Sequence, residues 1–241
     1  TIITKFIVIT LMALFFGSGN QIGELRSITG SGHVTTEKRT VTGDFKNVEI
    51  NNGLDLVIEQ SDKIEITVEA DDNLQKEITT KVENGVLIIS CDACNFINVA
   101  SKKITVKMPV IEGIQASSAA TVNCSTPLKG NSLNLTSSSA GSITATVEYE
   151  TVQLTSSSAS NQNINGKAIH LETASSSGSV LNAGELLANE VVAKASSGSS
   201  ISVSPIVSLK AEASSGGSIS YSKTPKSIQK EEHSGGSVHQ E

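Results

Sequence analysis

From Val41 onward the chain alternates apolar and polar residues with a period of two. Val48/Ile50, Leu54/Leu56/Ile58, Ile64/Ile66/Val68, Val82, Val86/Ile88 and Ile104/Val106 form the apolar set, mostly β-branched. Successive side chains of a strand face opposite ways, so the pattern predicts strands buried on one face. Asn51-Asn52-Gly53 and Glu83-Asn84-Gly85 interrupt it with residues that tolerate positive φ, and predict turns. Only 71–79 (DDNLQKEIT) leans toward a short helix, with Asp72 or Asn73 as its cap.

The second half repeats. Blocks rich in serine begin at Ala116, Thr136, Thr155, Ala174, Ala195, Ala213 and Glu232, so by subtraction they start 20, 19, 19, 21, 18 and 19 residues apart. An apolar strand leads into each unit (Leu133/Leu135, Val152/Leu154, Ile169/Leu171, Leu209/Ala211) and a second one leaves it (Ile143/Ala145/Val147, Ile201/Val203, Ile219/Tyr221). Short strands and tight corners at this period predict an all-β fold, a right-handed single-stranded parallel β-helix (a solenoid) with coils of about 20 residues. At about 4.8 Å per coil the six intervals extend roughly 29 Å. Equivalent positions lie above one another, so side chains at a sharp corner must be small. Inward serines can also serve backbone groups that the bend leaves unpaired. Gly141, Gly178, Gly198, Gly216 and Gly235 suit a corner of unusual φ. Val48, Ile66, Val86 and Ile104 are spaced by 18, 20 and 18, which would make the earlier region the first coils of the same stack.

Composition fits thin coils. Of 241 residues only 3% are aromatic and none is Trp, so the interior must come from small aliphatic contacts. All Asp residues precede position 93, and a boundary falls near 108–113. Residues 6–16 are apolar behind Lys5, too short to span a bilayer and typical of a secretory signal. The expected organisation is therefore a signal peptide over 1–19, a polar linker over 20–38 and the β-helix over 39–241. The β-helix divides into charged first coils (39–112) and serine-rich coils (113–241). No cysteine follows the apolar stretch, so an anchor on an N-terminal cysteine is not expected. The net charge of −6, without a clustered basic face, excludes nucleic acid as a partner.

Chemistry is sparse. Cys91 and Cys94 could close a small disulfide and leave Cys124 free; they lack the further ligands of a zinc site. His33, His170, His233 and His239 have no metal-ligand spacing and read as solvated, with His170 facing outward on a strand. There is no nucleophile elbow or phosphate loop, and the Ser-x-x-Lys at Ser227–Lys230 lies in a polar segment. Glu148 and Glu150 share a strand face and are the carboxylates to test for polysaccharide cleavage. Asp71 and Asp72 beside Asp62 match no known calcium loop and read as solvated acids. Tyr149 and Tyr221 are the only tyrosines, so stacking platforms for sugars are few.

With these parts in order, the chain resembles the "putative auto-transporter adhesin" family with the head GIN domain, over about Arg39 to Glu241. The resemblance rests on RTVTGDFKNVEINNGLDLVIEQ, VENGVLIIS, ITVKMPVIEGIQASSAA and the closing ASSGGSISYSKTPKSI and HSGGSV. It implies an exported right-handed β-helix of the bacterial envelope with no established catalytic activity. The corners of this chain are heavier in serine than that family's. The expected function is a non-catalytic adhesive or structural module, without catalytic residues, cofactor or metal. A polysaccharide-binding or polysaccharide-cleaving protein is the alternative. A glycan or other cell-surface ligand is the expected partner. A homo-oligomer is compatible with open solenoid ends, unless the polar tail after Lys230 caps one of them.

Overall fold

The computed structural model describes residues 26–91 and 94–241. The expected signal segment over 1–19 and the start of the expected linker lie outside these residues. Nine strands precede the serine-rich part: β1 (Arg26–Thr29), β2 (Val34–Arg39), β3 (Asn47–Ile50), β4 (Asp55–Gln60), β5 (Glu65–Asp71), β6 (Ile78–Glu83), β7 (Val86–Cys91), β8 (Cys94–Ile97) and β9 (Lys102–Met108). Ten follow: β10 (Gly113–Ala116), β11 (Thr121–Cys124), β12 (Leu128–Ser137), β13 (Ser142–Ser156), β14 (Asn161–Ser175), β15 (Val180–Ala195), β16 (Ser200–Ala213), β17 (Ser218–Tyr221), β18 (Ser227–Glu232) and β19 (Ser237–Gln240). No helix occurs among the described residues.

From β10 onward the chain winds as a parallel β-solenoid with coils of about 19 residues. Ser137 pairs with Ser156, Ser156 with Ser175, Ser175 with Ala195 and Ala195 with Ala213, each one coil further on. The interior is made of such columns. One runs Leu133, Val152, Leu171, Val191, Leu209, and a facing one runs Ile143, Gln162, Leu181, Ile201, Ile219. All of these are buried. Each buried aliphatic side chain contributes about 1.5–3 kcal/mol relative to exposure, so a coil gains stability only when a neighbour covers it. Gln162 breaks its column. Its amide nitrogen donates to Leu135 O, Thr155 O and Ser137 Oγ, while its buried Oε1 has no partner among the described residues.

Each serine block is a corner with two consecutive residues at positive φ: Ser118-Ala119, Ser139-Ala140, Ser158-Ala159, Ser177-Gly178, Ser197-Gly198, Ser215-Gly216 and Ser234-Gly235. The turn closes through an N–H to the carbonyl three residues back, as from Gly141 to Ser138 (2.8 Å) and from Gly217 to Ser214 (2.8 Å). These are features of a type I′ turn. The tips also bond from coil to coil: Ala119 N–H donates to Ser139 O (2.9 Å) and Ala140 N–H to Ser158 O (3.0 Å). The backbone ladder therefore continues around the bend. Of the glycines expected at unusual φ, Gly178, Gly198, Gly216 and Gly235 are so placed. Gly141 is not. It closes the turn, and a Cβ there would run into the carbonyl of Ala116 in the coil below. In the earlier coils alanine fills the second strained position instead. The inward serines do serve the backbone: Ser160 Oγ donates to Ser137 O (2.9 Å), and Ser199 Oγ to Ser175 O (2.7 Å).

The first third departs from a simple stack. β3 lies between β10 and β7, and β4 lies between β11 and β9, all parallel. The segment 86–108 thus forms a coil outside 47–60, and the chain then steps back across it so that 113–124 stacks on the other side. Ile66 belongs to no such coil, which corrects the spacing inferred from sequence. β5 runs antiparallel to β9, β2 antiparallel to β5, and β6 antiparallel to β7. These three strands cover the end of the stack. The Asn84-Gly85 loop, both residues at positive φ, closes the β6–β7 hairpin as expected. Asn52-Gly53 has the same conformation but forms a solenoid corner, since Gly53 N–H donates to Ser118 O (2.8 Å).

Other expectations change. The polar segment 20–38 is not a plain linker where described, because β1 pairs with β8 and β2 with β5. Residues 72–77 are successive turns rather than a helix, since the cap strands end on either side of them. In β7 it is Leu87 and Ile89 that are buried rather than Val86 and Ile88; a continuous apolar run hides its parity. Ile64 and Ile169 are exposed, Ile169 because the alternation breaks there and leaves both Ile169 and His170 outward between buried Ala168 and Leu171.

Candidate binding face

The strand that leaves each corner turns alternate residues outward. One outward column runs Thr144, Asn163, Asn182, Ser202, Ser220, and its neighbour runs Ser142, Asn161, Val180, Ser200, Ser218. Nearly all are short hydroxyl or amide side chains. They are partly tied to one another along the stack: Asn182 Nδ2 donates to Asn163 Oδ1 (3.1 Å), and Ser202 and Ser220 share a bond of 2.9 Å; beside them Thr146 Oγ1 donates to Asn165 Oδ1 (3.0 Å). The result is a polar face whose groups repeat at the strand spacing of about 4.8 Å. Toward the cap the same columns continue through Thr121 and Asn123 to Asp55 and Val57, then to Lys103 and Thr105.

There the face meets a groove of ≈ 380 Å³ walled by 99–103 and Glu69. Its charges are paired: Lys102 with Asp55 (2.8 Å) and with the carbonyl of Gly53, and Lys103 with Glu69 (2.9 Å). The Lys103 ammonium holds the Glu69 carboxyl below its usual range, against a smaller opposing effect of burial. Thr121 and Asn123, also in the groove, are exposed.

The residues singled out from sequence lie elsewhere. Glu148 and Glu150 do share an outward face, but Glu148 is exposed and paired with Lys129 (3.0 Å) beside a shallow depression. Tyr149 between them points inward and donates to Ile111 O (2.9 Å), and burial pushes its hydroxyl pKa up. Tyr221 is buried as well, so neither tyrosine offers an open ring. The four histidines are exposed as expected, with His170 Nδ1 3.0 Å from Glu190 Oε2. Cys91 is disulfide-bonded and Cys124 is free, its thiol pushed up to about 12 by burial.

The acidic cluster resolves differently from expectation. Asp62 and Asp72 are exposed, but Asp71 is fully buried and is no solvated acid. Its Oδ2 accepts the N–H of Gly32 (2.9 Å), and its Oδ1 accepts those of Ala100 (3.0 Å) and Ser101 (2.9 Å). Burial opposes its ionisation, yet these bonds prevail and hold its carboxyl below the usual range. Asp71 is the pin of the cap. The face residues were missed from sequence although a signal existed: Thr144, Asn163 and Asn182 are each 19 apart by subtraction.

Comparison with known proteins agrees with this architecture. A "putative adhesin" of Bacteroides fragilis superposes with a TM-score of 0.81 at 21% identity, covering 89% of this chain and 100% of the other. A "putative adhesin" of Parabacteroides merdae gives 0.74 at 21% identity over 89% and 99%. A "putative lipid binding protein" of Parabacteroides distasonis gives 0.71 at 18% identity over 90% and 100%. At these identities the likeness shows the fold alone. No curated protein matches the chain. The model of the family described as "putative auto-transporter adhesin, head GIN domain" matches residues 44–225, and the chain belongs to that family.

Proposed function

We propose that the protein is an exported envelope module that binds a glycan or other polar cell-surface ligand through the polar face following the serine corners. It works by adhesion and not by turnover. The observation that carries this reading is the outward column of Thr144, Asn163, Asn182 and Ser202. Amides and hydroxyls at fixed spacing suit the hydroxyl groups of an extended polysaccharide. Membership of an adhesin family supports a surface role, and the apolar segment of residues 6–16 supports export.

The test is binding of the purified protein to bacterial and host cells, matrix proteins and a glycan array. An Asn163→Lys/Asn182→Lys double variant is expected to lose at least tenfold in affinity. Gln153→Lys, on the strand before the corner, is expected to bind as wild type. No binding to any of these, or equal binding by all three proteins, would sink the proposal. Release of reducing ends or unsaturated products from envelope and plant polysaccharides, abolished by Glu148→Gln or Glu150→Gln, would replace it with an enzymatic role.

A further inference from the structure

The coil made by β18 and β19 breaks the inward pattern that the other coils keep. Lys230 stands in register above Ala211, and Glu232 above Ala213, where every preceding serine-rich coil has a small or aliphatic residue. Both charged side chains reach across the end of the interior to one residue of the facing strand, Val238. Lys230 Nζ donates to Val238 O (3.2 Å), and Glu232 Oε1 accepts Val238 N–H (2.6 Å). The ammonium also lies 4.8 Å from the centre of the Tyr221 ring, over the last aromatic surface of the interior.

The direction of these bonds matters. Ser237 N–H donates down the stack to Gly217 O (3.0 Å), and Glu241 N–H to Tyr221 O (3.2 Å). Backbone groups alternate along a strand, so those of Val238 point up, where a further coil would pair with them. The two side chains occupy both positions. We propose that Lys230 and Glu232 form a terminator that ends the stack and bars a second copy of this chain from adding a coil at this edge. Pairing there would have to break both bonds and bury the two charges against apolar residues, a cost that natural sheets exploit at their edges. Self-association by coil stacking is thereby closed off at this end.

Sedimentation velocity over a range of concentrations tests this, with circular dichroism to establish folding. Wild type is expected to show no association through this coil. Lys230→Leu/Glu232→Ala, which restores the inward pattern, is expected to associate at least tenfold more tightly. A folded double variant that sediments as wild type does would overturn the proposal. Should the double variant not fold, hydrogen exchange decides with Glu232→Ala alone. The Val238 amide is then expected to exchange about tenfold faster than in wild type, and unchanged exchange would count as failure. Wild-type protection of β18 and β19 amides that rises with protein concentration would also overturn it.

Discussion

Replacing Asp71 should loosen the cap and change how the protein responds to acid. The carboxylate is fully buried and accepts three backbone N–H groups that tie together the loops at 30–33 and 98–101. A hydrogen bond to a charged group contributes about 1.5–3 kcal/mol, but loops that lose one can regain water, so the sum is less than threefold. We expect Asp71→Asn to cost about 2–3 kcal/mol at neutral pH, because the amide turns a donor toward at least one of these N–H groups. For a chain of this size that is a fall in melting temperature of about 4–12 °C. The pH dependence follows from the depressed carboxyl pKa. The unfolded side chain titrates near 3.9, so the stabilisation is complete above that value and is lost as pH falls through the lower folded value. Urea denaturation of wild type and variant from neutral pH downward is the assay, with exchange of the Gly32 and Ser101 amides as the local readout. The gap between the two proteins should narrow on acidification. A variant within about 0.5 kcal/mol of wild type at neutral pH, or a gap that acid leaves unchanged, would refute the assignment of Asp71 as the pin of the cap.

Two further outcomes are expected. Ser179→Ala should destabilise by about 1–2 kcal/mol in urea, since its hydroxyl is buried within reach of Ser176 O (2.7 Å) and Ser156 O (2.9 Å); an exposed Ser177→Ala should be nearly silent. The Cys124 thiol, pushed up to about 12, should react slowly with a thiol reagent at mildly alkaline pH and rapidly once urea unfolds the protein, with equal rates telling against its burial.

Much of the solenoid was legible because its signals are local and repeated. The spacing of the serine blocks set the coil length, and the small residues marked corners where stacked positions leave no room. Parity was harder. Val86, Ile88 and Ile169 lie on the opposite face from the one the pattern predicts, because a continuous apolar run or a break in the alternation hides the parity. Glu148 and Glu150 drew notice as carboxylates two apart, yet a lysine in the adjacent coil pairs with one of them. That neighbour lies 19 residues away by subtraction, visible only once coils are aligned.

By itself the sequence determined the all-β class, the period of the coil and the identity of its corners, since each depends on residues close together in the chain. Only the tertiary structure decided the order of the stack, because β-strand pairing across 47–60, 86–108 and 113–124 is non-local and equal spacings do not rank neighbours. The burial of Asp71 and the inward charges of Lys230 and Glu232 were decided there too. The partners of Asp71 are backbone groups of two loops distant in the chain, and those of Lys230 and Glu232 are the outward-pointing groups of Val238, which only the folding of the coil brings within reach.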